Sequence, residues 1–224
     1  FDESKREYVE SNLPADFIAE GLDQTRGWFY TLHVLATALF DRPAFQNVIV
    51  NGLILAADGK KMSKRLKNYP DPMKVVGQYG ADAIRLYLLH SPVVQADDFR
   101  FSERGVELVL RQMLIPLWNS YVFFATYAKI CHWTPKRIEK KKPSATIDRW
   151  ILSRMQKLIL DVEKGLDSYR LSDAVDPFVT FIDQLTNWFI RRSRPRFWET
   201  EATPDREEAF LKLTETTKNR FRPV

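Results

Sequence analysis

The sequence predicts an α/β first part followed by an all-α second part, and three observations carry that expectation. Residues 47–55 (NVIVNGLIL) are apolar on both alternating faces, as in a strand buried between helical layers of a parallel sheet. A strand–helix–strand order leads up to them, which is about the minimum crossover for a parallel pair. Beyond residue 144, apolar residues recur in steps of three and four, the seam of a helical bundle.

Taken in order, residues 1–13 are charged and without periodicity and read as a linker. Residues 16–20 (DFIAE) form a short strand that Glu20-Gly21 ends. A helix opens near Thr25 and runs to Phe40, with Trp28, Leu32, Leu35 and Leu39 at helical spacing and Phe29, Ala36 and Phe40 widening the face. Asp41-Arg42-Pro43 stops it. After the strand at 47–55, Asp58-Gly59 supplies a turn and five cations follow between Lys60 and Lys67. Asp71-Pro72 reads as an N-cap with proline at the first helical position. Gly80 splits the helical stretch that follows, and Ser91-Pro92 closes the first domain. Residues 93–101 are expected to be irregular and 102–130 helical, with Ser102 as the cap. The stretch 134–144 (TPKRIEKKKPS) is a charged linker bracketed by prolines. Ile147, Ile151, Met155, Leu158 and Val162 line one helix. Val175, Phe178, Ile182, Leu185 and Phe189 line a second, over 172–192, with either Ser172 or Asp176 as its cap because of Pro177. A third covers 204–218, and the ending from 218 to 224 looks ragged. The expected divisions are 1–92, 93–143 and 144–224.

Composition narrows the classes. With 224 residues, 45% hydrophobic and 13% aromatic, the chain builds real cores. One cysteine, Cys131, excludes an internal disulfide framework and is compatible with a reducing compartment. His33, His90 and His132 show no metal-ligand spacing, so no metal site is expected. The first residues carry no secretory signal. The uncharged run 112–128 falls short of the roughly 20 apolar residues a bilayer span needs and contains Gln112, Pro116, Asn119 and Ser120, so it reads as a buried helix pair or a Pro-kinked core helix. Residues 1–131 hold 15 Lys+Arg and 15 Asp+Glu, so the whole net charge of +5 lies in 132–224. Any nucleic acid is expected on that back half.

The basic loop leaves the carboxyl end of a predicted strand and runs into a helix start, the edge where open parallel sheets bind ligands and where anions are favoured. A solvated basic turn is the plain alternative. The Walker-type phosphate loop does not fit, because Gly59-Lys60 has neither its spacing nor a following Ser/Thr. Lys61-Met62-Ser63-Lys64-Arg65 does closely resemble the KMSKS-type loop of class I aminoacyl-tRNA synthetases. Glu20 to Phe29 (EGLDQTRGWF) resembles the adenylate-contacting segment of isoleucyl-type members, and the likeness runs to about residue 210. The resemblance implies the C-terminal half of a Rossmann-like catalytic domain followed by part of an all-α anticodon-binding bundle. It implies activation of L-isoleucine with ATP and Mg²⁺ to the adenylate, and transfer to tRNA(Ile), in the cytoplasm. It assigns Lys64 the main contact to pyrophosphate, with Lys61 supporting and Ser63 capping the loop. It turns Glu20, Gly21, Asp23 and Gln24 toward the adenylate, with Trp28 near the amino-acid end; from the residues alone, helix capping is the alternative for the acidic pair and core packing for Trp28. Lys64 also counts among the ATP contacts.

The run 187–198 (NWFIRRSRPRFW) has four arginines, Arg191, Arg192, Arg194 and Arg196, flanked by Trp188 and Trp198. Such a run pairs with phosphates and stacks on bases, and it resembles the family's anticodon-binding region. Its plain alternative is a helix C-terminus favoured by the dipole, with the aromatics and Trp150 in the core. No His-x-Gly-His segment and no editing insert occur in these 224 residues. The family carries both N-terminal to the first strand here, and it edits because binding alone rejects a side chain one methylene smaller too weakly. An internal segment, inactive alone, is therefore expected. Rival readings are a valyl- or leucyl-type synthetase and an inactive RNA-binding module.

Overall fold

A computed structural model of the chain describes residues 3–63, 65–66, 68–134, 143–199, 201 and 203–218. Contacts divide it into two units, 1–103 and 104–224.

In the first unit the charged start is helical rather than a bare linker, with α1 at Arg6–Ser11. Strand β1 (Ala15–Gly21) pairs in parallel with β2 (Phe45–Asn51), Glu20 opposite Val50 and Gly21 opposite Asn51. A 3₁₀ turn, Leu22–Arg26, leads into α2, Trp28–Phe40. The buried stripe of α2 is Phe29 and Ala36, whereas Leu35 and Leu39 are half-exposed. The expected leading and widening positions are thus exchanged, because Phe29 turns onto Phe45 of β2 at 6.2 Å.

The strand expected over 47–55 is two strands. Gly52 breaks it: its amide donates to Val93 O at 2.8 Å, and a Cβ there would stand 1.9 Å from Asp97 O. Strand β3 (Ile54–Leu55) then pairs in parallel with β4 (Phe99–Arg100), inside the stretch expected to be irregular. Tyr87 holds β4 in place between Phe99 and Phe101, its hydroxyl accepting from the Ser102 amide at 3.2 Å. Burial pushes its pKa up, and that hydrogen bond offsets part of the rise. The β2 strand is also less covered than its apolar pattern suggests, with Val48 half-exposed.

Helices α3 (Pro72–Tyr79) and α4 (Ala81–Leu89) meet at Gly80, whose φ of 86° ends the first. Asp71 caps α3, its side chain accepting from the Met73 amide at 2.9 Å.

The second unit begins with α5 (Glu103–Val109), a π-helical turn (Leu110–Leu114) and α6 (Ile115–Ile130). No described helix is long and apolar enough to cross a membrane. Helix α7 (Thr146–Asp167) packs on α8 (Leu171–Asp183), with Gly165 against the backbone of Ala174. Neither Ser172 nor Asp176 is the cap residue of α8, which starts after Arg170 and carries Pro177 inside. The helix continues through a π-helical stretch, Gln184–Ile190, into α9, Arg191–Trp198. Helix α10, Pro204–Lys218, packs on α9, α7 and α6. The shared core holds Ile151, Leu158, Leu185, Phe189, Phe197 and Phe210.

Candidate functional site

Two constellations carry chemistry, one in each unit. In the first unit, the parallel pair of β1 and β2 ends in register at Gly21 and Asn51, so Glu20 stands at the carboxyl edge of the sheet and Asp23 follows in the 3₁₀ turn. Both carboxylates are exposed. Gln24 divides its amide between two neighbours: Nε2 donates to Asp23 Oδ2 at 3.3 Å, and Oε1 accepts from the Trp28 amide at 2.9 Å. Gln24 therefore satisfies the first amide of α2, whose N-cap residue is Gly27, and its other end holds Asp23. Trp28 is 49% exposed, tilted against Phe29 at 6.4 Å. Its indole is not core, because α2 buries the face one residue further on.

The basic segment leaves β3. Ala56 donates to Lys60 O, Gly59 to Ala56 O, and Leu55 and Lys61 form an antiparallel bridge, so residues 55–61 fold back as a tight turn. Gly59 sits at φ 80° against the Arg100 guanidinium, which a Cβ would meet at 3.1 Å. Asn68 closes the rest. Its Oδ1 accepts from the Ser63 amide at 2.9 Å, and its Nδ2 donates to Lys61 O at 3.1 Å. Lys61 projects to solvent and Ser63 is half-buried. Lys64 and Lys67 lie outside the described residues. The loop is thus clamped by an asparagine that the sequence reading did not single out; the signal was there, an Asn just before Tyr69-Pro70, where side-chain amides bond local backbone.

In the second unit all four arginines lie in α9, so the helix expected to end at 192 runs on to Trp198, and Arg196 falls in its last turn. Three of them, Arg191, Arg192 and Arg194, are exposed. Arg192 lies over the Trp188 ring at 4.6 Å, and Trp188, half-exposed, neighbours Trp150 at 6.3 Å. Arg196 differs. Its guanidinium is bidentate to Asp148 at 2.8 and 2.9 Å and is held on its other side by Asp205 at 2.8 and 2.9 Å. Asp148 is fully buried, while the Arg196 side chain is 12% exposed. Burial disfavours the charged guanidinium, yet the hydrogen bonds and charges of Asp148 and Asp205 outweigh it and hold the pKa above the usual arginine value. Arg196 therefore joins the start of α7, α9 and the start of α10.

Among the described residues no group of three or more His, Cys, Asp or Glu is arranged to hold a metal ion. What the first unit offers instead is exposed acceptors at a sheet edge and a clamped cationic loop. The second unit offers a cationic, aromatic helix face.

Comparison with known proteins adds to this. Residues 1–100 match the family model for class I tRNA synthetases (I, L, M and V), and residues 148–220 match that for the anticodon-binding domain of tRNA ligase. An isoleucine--tRNA ligase of Protochlamydia amoebophila is 66% identical over 93% of this chain, and one of Chlamydia pneumoniae is 59% identical over 92%. In both cases the chain spans 20% of the relative's length. Among solved structures, a methionyl-tRNA synthetase of Mycobacterium tuberculosis bound by methionyl-adenylate superposes with TM-score 0.72 at 19% identity, covering 96% of this chain and 42% of that one. A leucyl-tRNA synthetase of Agrobacterium radiobacter K84, in a ternary complex with tRNA, gives 0.66 at 21% identity, covering 89% of this chain and 25% of that one.

Proposed function

The chain belongs to the class I tRNA synthetases, and from that membership we propose that it is the part of an isoleucine–tRNA ligase that holds one side of the adenylation site and begins the tRNA-binding bundle. The observation that carries the reading is the 58–66% identity to isoleucine--tRNA ligases across more than nine-tenths of the chain. Relatives matched at this identity are named isoleucine--tRNA ligases, which disfavours the valyl- or leucyl-type alternative.

In this reading the isoleucine carboxylate attacks the α-phosphate of ATP and pyrophosphate departs. Charge builds on the equatorial oxygens and the leaving group, so positioned cations supply most of the catalysis. Lys64 meets the pyrophosphate and Lys61 supports it. Ser63, held by Asn68 through its amide, fixes the segment between them. Mg²⁺ arrives with the triphosphate as part of the substrate. Glu20 and Asp23 accept hydrogen bonds from hydroxyl or ammonium groups of the adenylate, Gln24 holds Asp23 toward them, Gly21 lets the backbone turn at the sheet edge, and Trp28 offers its exposed indole to the amino-acid end. Residues 1–92 serve this chemistry, 93–143 connect, and 144–224 bind tRNA(Ile). There Arg191, Arg192 and Arg194 meet phosphates, while Arg196 keeps the helix that bears them in place. The reading carries a cytoplasmic location with it.

The test is isoleucine-dependent exchange of pyrophosphate into ATP by the full-length protein that contains this chain. Exchange with isoleucine well above that with leucine or methionine is expected, and the 224 residues alone should stay at background. Equal exchange with leucine would end the isoleucine assignment.

A further inference from the structure

We propose that Arg100 of β4 is a further phosphate-binding residue of the adenylation site, forking its guanidinium onto the pyrophosphate end of ATP beside Lys61. The inference rests on the adenylation reading above and adds to it a cation from outside the basic loop.

Arg100 stands on a rigid base. The amides on either side of it are tied into β3, Phe99 N donating to Leu53 O and Phe101 N to Leu55 O, both at 2.9 Å. Successive side chains of a strand leave opposite faces. Phe99 and Phe101 turn to Tyr87, with ring centroids at 5.2 and 5.7 Å, so Arg100 is sent to the other face. There it is in register with Leu55, and Leu55 in turn bridges Lys61. Arg100, Leu55 and Lys61 therefore form one row across three adjacent backbones, with the two cations about 10 Å apart at ~4.8 Å per rung. Side chains as long as arginine and lysine converge over that span onto a single polyphosphate.

The guanidinium reaches back over the loop. Nε and Nη2 stand 3.1 Å, and Cζ 3.2 Å, from the position a Cβ of Gly59 would take, so the guanidinium plane lies flat on the glycine. The missing side chain is what admits it. A guanidinium held by its face keeps the N–H groups of its edge for another partner. Among the described residues no hydrogen bond or ion pair takes them, and Arg100 is exposed. Two carboxylates close in the chain are engaged elsewhere. Asp58 Oδ1 accepts from the Lys60 amide at 3.0 Å, and its Oδ2 meets Lys60 Nζ at 3.7 Å. Asp98 Oδ1 accepts from the Leu53 amide at 3.3 Å.

Such a fork matches the paired oxygens of a phosphate, which arginine grips bidentately where lysine offers one point charge. As the isoleucine carboxylate bonds to the α-phosphorus, the bond from that phosphorus to the bridging oxygen breaks. Pyrophosphate leaves with the electron pair, and the fork meets the charge that grows on it.

The test uses the full-length protein that contains this chain. Magnesium pyrophosphate is the probe in a calorimetric titration, and single-turnover adenylate formation is the second readout. Arg100→Gln should weaken pyrophosphate binding and slow adenylate formation, each by about 10–100-fold, the range of a hydrogen bond to a charged group. Isoleucine binding and transfer from preformed adenylate to tRNA should stay unchanged, since neither involves pyrophosphate. Arg100→Lys should recover only part of both losses, because it keeps the charge and lacks the fork. A residue that merely props the turn at Gly59 would slow the reaction without touching pyrophosphate affinity. That result overturns the proposal, as do unchanged values in a variant folded by circular dichroism, or full recovery by lysine. Should Arg100→Gln fail to fold, Arg100→Lys carries the comparison and must fall below wild type in both readouts. A wild type that binds pyrophosphate through Arg100 yet forms no isoleucyl-adenylate would remove the isoleucine reading and leave the phosphate site standing.

Discussion

Replacing Arg196 by alanine should unfold the second unit far more readily than any other arginine change on α9. The Asp148 carboxylate is fully buried and takes both of its close partners from this one guanidinium, at 2.8 and 2.9 Å. Without it the interior keeps an ion and loses its counter-ion, a change that costs about 3–5 kcal/mol. The Asp205 arm adds little to that figure, because its side chain is 48% exposed, and pairs so open to solvent contribute about 0–1 kcal/mol. Asp205→Asn should therefore be nearly silent. Urea denaturation followed by tryptophan fluorescence measures both. With a slope of about 1–3 kcal/mol per molar, the Arg196→Ala midpoint should fall by at least ~1 M. The raised pKa of Arg196 gives the sign of the pH effect. The stability it contributes is fully present below the ordinary arginine pKa and is lost only as pH rises through the still higher folded value. The Arg196→Ala deficit should therefore not shrink, through this guanidinium, between about pH 5 and 10. A loss under ~1 kcal/mol, or equal losses for Arg196→Ala and Asp205→Asn, would refute the reasoning.

Two further outcomes follow from other parts of the molecule. In the full-length protein that contains this chain, Asn68→Ala removes two hydrogen bonds from the basic loop, worth about 1–2 kcal/mol together. Adenylate formation should slow about 5–30-fold, while equilibrium binding of isoleucine, measured separately, stays unchanged; loss of isoleucine binding would mean that Asn68 supports more than the loop. Replacing Arg191, Arg192 and Arg194 together by Gln should flatten the log–log salt dependence of tRNA binding by about 2, at ~0.7 per phosphate on a single strand. An unchanged slope would return these arginines to a purely structural role.

The order of elements was legible where one local signal decided. Asp71-Pro72 announced the start of α3 and Gly80 its end, and both hold. The seams of α7 and α8 follow the helical period, with Ile151, Leu158, Val175 and Ile182 buried, and the same seam runs on through Leu185 and Phe189 of the π-helical stretch. Boundaries set by long-range partners were not legible. The break at Gly52 depends on Asp97, forty-five residues away, and β4 exists because Leu53 and Leu55 carbonyls find Phe99 and Phe101. In α2, Trp28, Leu35 and Leu39 share the apolar character of the buried Phe29 and Ala36, and periodicity alone does not say which of two adjacent stripes meets the sheet. Arg196 is the sharpest case. In sequence it is one of four similar arginines, and only folding brings Asp148 and Asp205 to it from 48 and 9 residues away. Composition carries no trace of such a partner.

The proposed function has the basic loop serve the departure of pyrophosphate, and single-turnover kinetics of Lys64→Ala in the full-length protein that contains this chain test it most directly. The account predicts adenylate formation slower by about 10²–10³-fold, on the order of 3–4 kcal/mol, as for removal of one pre-organised charge-stabilising donor. Transfer from preformed adenylate to tRNA should be largely spared, because pyrophosphate has already left, and Lys67→Ala should cost little in either step. Equal losses in both steps, or equal losses for the two lysines, would contradict it.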